Sequence, residues 1–77
     1  MIVTLCYEQI NLNIDIKVNK EQKISETVMI LIDGGIIPIN NKNGIYNIFS
    51  KRRGTLIDLN FSYEQSGIYN GDILYVR

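Results

Sequence analysis

Histidine is absent from the 77 residues, and cysteine occurs once, as Cys6. Nucleophilic catalysis by that thiol would lack an adjacent imidazole base. Neither an intrachain disulfide nor a zinc-type Cys/His cluster can brace so short a chain. Net charge is missing too, since eight Lys plus Arg balance eight Asp plus Glu. A general nucleic-acid binder needs a cationic field, so no nucleic-acid partner is expected. No apolar run approaches the roughly 18 residues of a membrane span. The opening MIVTLCYEQINLNI has no basic segment ahead of a long apolar core, so no signal peptide is expected and the chain reads as cytoplasmic. A lone thiol fits a reducing compartment or an indifferent one. No spacing of acids or glycines resembles a metal motif or a phosphate loop, and no cofactor is expected. Proline occurs once, at Pro38.

What is present is patterned for one small domain covering residues 1–77, which must rely on an efficiently packed core. Residues 2–7 alternate, with Val3, Leu5 and Tyr7 on one face and Ile2, Thr4 and Cys6 on the other. Every second residue from Ile10 to Val18 is apolar, the period of a half-buried strand. The two strands predict a hairpin, and the absence of Asn-Gly between them predicts a longer, bulged connection.

Apolar residues at Ile24, Val28, Leu31 and Ile32 follow helical spacing. Ser25 or a residue just before it is the candidate cap, and Asp33-Gly34-Gly35 the stop. Residues 36–39 read as a buried extended link and 40–44 as a polar turn. Residues 45–50 read as a third strand, with Tyr46 and Ile48 on one face and Asn47 and Phe49 on the other. Lys51-Arg52-Arg53-Gly54 is a turn, residues 55–57 a short strand, and residues 58–66 irregular with one helical turn near Ser62–Gln65. The segment GIYNGDILYVR closes the sequence, its turn signals Gly67 and Asn70-Gly71 leading into a strand at Ile73–Val76.

This order predicts an α+β fold of the β-grasp type, a mixed sheet of four to five strands packed on one helix. Its first and last strands should lie parallel at the centre. A doubly wound fold would need several crossover helices. A split βαβ fold, the runner-up, would need a second long helix.

The chain resembles ubiquitin. Val3, Leu5, Ile14, Ile16, Val18, Ile24, Val28, Leu31, Tyr63, Ile68, Leu74 and Val76 fall where ubiquitin-like domains place core residues. Within that superfamily it resembles the bacterial YukD/EsaB family, through its length, its alternating first hairpin and the segment Gly67-Ile68-Tyr69-Asn70-Gly71-Asp72-Ile73-Leu74. The resemblance implies a small, non-enzymatic accessory or regulator of a type VII secretion system. It implies protein partners, with membrane components of that system among the candidates.

Ubiquitin itself and sulfur carriers of this fold act through a flexible tail ending in Gly-Gly. Here Arg77 follows the strand directly, so conjugation and sulfur carriage are not expected. An adaptor role in an unrelated bacterial complex stays open.

Two protein-binding surfaces are candidates. If Leu74 and Val76 point into the core, Ile73 and Tyr75 point away, with Phe49 and Asn47 on the third strand and Cys6 and Thr4 on the first. That outer sheet face is the one ubiquitin presents to its receptors; the plainer reading is scattered apolar exposure. The second candidate is the cationic turn of Lys51, Arg52 and Arg53, as a contact for an acidic surface; the plainer reading is a solvated hairpin tip. Cys6 also reads simply as strand packing. Oligomeric state is open, and an exposed edge strand would permit sheet-to-sheet dimers.

Overall fold

A computed structural model describes residues 1–38 and 46–77. The expected polar turn at 40–44, and Ile39 and Ile45 beside it, lie outside the described residues. Five strands and one α-helix follow one another as β1 (Ile2–Tyr7), β2 (Leu12–Lys17), α1 (Ile24–Asp33), β3 (Ile48–Ser50), β4 (Thr55–Ile57) and β5 (Ile73–Val76). The strands form one mixed sheet in the order β2-β1-β5-β3-β4. β5 runs parallel to β1, with Leu5 beside Leu74, and antiparallel to β3, with Ile48 beside Val76. This is the β-grasp arrangement of an α+β fold.

Period-2 patterning puts Val3, Leu5, Tyr7, Ile48, Leu74 and Val76 on the inner face, where all are buried. Against them α1 lays Ile24, Thr27, Val28 and Leu31. Each large apolar side chain so buried contributes about 1.5–3 kcal/mol. Ile14 and Ile16 on β2 are half-buried at the margin of this core.

The connection between β1 and β2 is longer than a two-residue turn, as expected, but the second strand begins later than alternation predicts. Ile10 does not begin the second strand but lies, exposed, in a 3-10 turn over Glu8–Ile10. Asn11 then adopts φ 54°, the left-handed region that asparagine tolerates better than most residues. Of the turn's three residues, alternation had assigned only Ile10 to sheet.

The start of α1 also departs from expectation. Ser25 lies inside the helix, and Lys23 at the cap position offers no side-chain bond. The first amides are satisfied from elsewhere: Ile24 N–H donates to the Phe61 carbonyl at 3.0 Å and Ser25 N–H to the Leu59 carbonyl at 2.9 Å. A bare helix end would leave these donors orphaned, so the loop after β4 serves as the cap.

At the other end Gly35 takes φ 73° and the chain forms a Schellman closure. Ile36 N–H donates to the Leu31 carbonyl at 2.9 Å and Gly35 N–H to that of Ile32 at 3.0 Å. Beyond it Ile37 is buried, whereas Ile36 and Pro38 are exposed, so only one residue of the expected buried link reaches the core.

Between β4 and β5 the expected helical turn is present as a capping box. Gln65 N–H donates to Ser62 Oγ, and Ser62 N–H to Gln65 Oε1, each at 3.0 Å. The turn inserts Tyr63, 1% exposed, beneath α1, where its hydroxyl donates to Thr27 Oγ1 at 2.8 Å.

Candidate functional site

The face of the sheet opposite α1 is built by the alternate residues of every strand. Backbone register sets Cys6 beside Tyr75, Tyr75 beside Phe49, and Phe49 beside Leu56. These four side chains form a continuous row across four strands, extended on the far side by Asn13 opposite Cys6. One step along, Thr4 lies beside Ile73 on one side and Asp15 on the other. Thr4 Oγ1 donates to Asp15 Oδ1 at 2.6 Å. The register thus unites Cys6, Thr4, Ile73, Tyr75 and Phe49 on one surface. All five are half-buried, held from below by the buried alternates of their own strands.

Asn47 lies just before β3 and is exposed. Its backbone exchanges two hydrogen bonds with Arg77, at 3.1 and 2.8 Å, so the β3–β5 ladder runs one pair past the strands themselves. The third strand is therefore shorter than residues 45–50, and Asn47, expected on it, lies just outside. Arg77, which sequence reasoning treated only as a last residue, lies over the Phe49 ring at 4.4 Å and 5.9 Å from the Tyr75 ring. A guanidinium at this distance is attracted by the ring quadrupole. Leu56, 61% exposed, is the other member that sequence reasoning missed. Its place beside Phe49 follows from hairpin register, which a three-residue strand does not announce.

The cationic turn is exposed and is also tied into the fold. Lys51 is exposed. Arg52 turns back to Asp72, with Nε 2.9 Å from Oδ1 and Nη2 3.1 Å from Oδ2, and also donates to the Gly67 carbonyl. Its guanidinium stacks over the Tyr69 ring at 4.4 Å. Arg53 donates to the Ser66 carbonyl and lies against Gly67, where a Cβ would come within 3.1 Å of its Nη1. Two of the three cations therefore tie the β3–β4 hairpin to the segment before β5, while all three residues remain exposed.

Asp72 is 8% exposed and holds its own turn, accepting Tyr69 N–H at 2.9 Å. The charge-assisted bonds from Arg52 hold its carboxyl below the usual carboxylate range, against the opposing effect of burial. Neighbouring Asn70 and Gly71 grip the start of β1: Ile2 N–H donates to Asn70 Oδ1 and Gly71 N–H to the Ile2 carbonyl, each at 2.7 Å.

Among the described residues no three acids or cysteines come together as a metal cluster. No helix among them is long and apolar enough to cross a membrane. No family model matches the chain, and no curated protein matches it.

Proposed function

We infer that this chain is a non-catalytic, ubiquitin-like protein-binding module whose outer sheet face receives its partner. The observation that carries this reading is the row Cys6, Tyr75, Phe49 and Leu56, with Arg77 stacked over Phe49 at its centre. Aromatic residues and arginine are the favoured anchors of protein interfaces, and here they share a rigid surface fixed by backbone pairing. The resemblance to the YukD/EsaB family supports a role as a cytoplasmic accessory or regulator of a type VII secretion system. In that reading the partner is one of the system's membrane components.

The experiment is a co-purification of the tagged chain with the solubilised membrane components of such a system. Wild type retains its partner, while Tyr75→Ala combined with Phe49→Ala loses it and keeps the wild-type circular-dichroism spectrum. Retention by the folded double variant overturns the assignment of the face. An adenylate or thioester formed on Arg77 with an activating enzyme and ATP would replace the binding role with a carrier role.

A further inference from the structure

The β2 edge offers a second, separate surface. β2 ends the sheet. Met1 N donates to the Val18 carbonyl at 2.9 Å and Val18 N–H to the Met1 carbonyl at 2.8 Å, so these two form a hydrogen-bonded pair. Antiparallel pairing alternates, and therefore Ile16, Ile14 and Leu12 also turn their backbone groups toward β1. The N–H and C=O groups of Asn13, Asp15 and Lys17 point out of the sheet. Among the described residues no other backbone group bonds to them.

Beside this edge runs a groove of about 390 Å³ between β2 and α1, lined by Ile16, Val18, Ile30 and Leu31 among others. Ile30 is 61% exposed there, on a helix whose other face is in the core.

We propose that the occupant is a second copy of this chain, its β2 paired antiparallel to this β2 about a two-fold axis at Ile16. The charge pattern selects that register. Only odd-numbered residues can exchange hydrogen bonds across the new seam, which restricts the axis to a few positions. An axis at Asp15 sets two aspartates face to face, and like charges directly opposite are unfavourable. An axis at Ile14 sets Asp15 against Asn13. The axis at Ile16 sets Asp15 opposite Lys17 of the second copy, and Lys17 opposite its Asp15, so both charges are matched twice. Ile14 then meets Val18, and Ile16 meets its own counterpart. The sheet becomes continuous, with both α1 helices on one face and each Ile30 toward the axis. Zero net charge removes long-range repulsion between copies. This seam is isologous, as a two-fold contact must be, and it leaves the outer-face row uncovered.

Sedimentation velocity over a wide concentration range tests the assembly. Wild type should shift with concentration from 8.9 kDa to twice that mass. Asp15→Lys places two lysines opposite each other and Lys17→Asp two aspartates, so each variant alone should remain monomeric. Mixed together, the two variants present Lys opposite Asp at both positions and should recover the dimer. Circular dichroism of each variant checks that the fold is kept. A wild type that stays at 8.9 kDa at every concentration overturns the proposal. So does a dimer that either folded single variant retains, or a mixture of the two that fails to associate.

Discussion

The guanidinium of Arg52 and the carboxylate of Asp72 meet at 2.9 Å, joining the β3–β4 hairpin to the turn that launches β5. Asp72 is buried and Arg52 is not, so the pair's worth lies chiefly in satisfying the acid. Because the folded carboxyl titrates below its unfolded value, the unfolded chain binds the extra proton. The contribution is complete above the ordinary carboxylate value of 3.8 and is lost progressively as the pH falls from there through the folded value. Urea midpoints measured against pH should show this for wild type. Asp72→Asn should unfold at lower urea near neutrality, and the gap should narrow as the solution is acidified below about pH 4.

Tyr63→Phe should remove the bond to Thr27 and leave the buried threonine hydroxyl without its donor. The expected loss is about 1–2 kcal/mol in urea unfolding. Thr27→Val added to it should cost less than the sum of the two single changes, because the two residues share one interaction.

Gly35→Ala should destabilise by about 1–2 kcal/mol, since an L-residue is strained at φ 73° although nothing lies within 4 Å of its Cβ. Gly35→Asn should lose less, because asparagine enters the left-handed region more readily. Thermal unfolding of the three proteins ranks them.

Leu74→Ala should cost about 2–5 kcal/mol by chemical denaturation, the range for opening a cavity at a fully buried leucine. Ile73→Ala, one residue away on the half-buried outer face, should cost much less. The same substitution should weaken co-purification of the partner, giving a separation of stability from binding that Leu74→Ala cannot.

The sheet was legible because β1, β3 and β5 keep period 2 with one buried face, and β2 alternates half-buried with exposed residues. Val3, Leu5, Leu74 and Val76 announce both their strands and their orientation. Most of the outer face follows from the same alternation read in reverse, which is why Thr4, Cys6, Ile73, Tyr75 and Phe49 could be grouped before any register was known. What alternation cannot show is where a chain stops pairing. Ile10 keeps the apolar beat but belongs to a turn, and Asn47 keeps the ladder while lying outside the strand. Contacts made by long side chains across sequence were invisible as well. Arg52 and Arg53 look like a cationic tip in sequence, and only the fold brings Asp72, Gly67 and Ser66 within their reach. The cap of α1 was missed for the same reason, since its acceptors are carbonyls of Leu59 and Phe61, which carry no residue-type signal.

The central position of β5 also sets the order in which the molecule can be completed. Until Ile73–Val76 leaves the ribosome, the chain holds two separate hairpins, β1–β2 and β3–β4, with no strand between them. Their inner faces, Val3 and Leu5 on one and Ile48 on the other, cannot be joined into one sheet by anything made earlier. Folding of the nascent chain is therefore held back until β5 has been made, when one short strand zips both halves together.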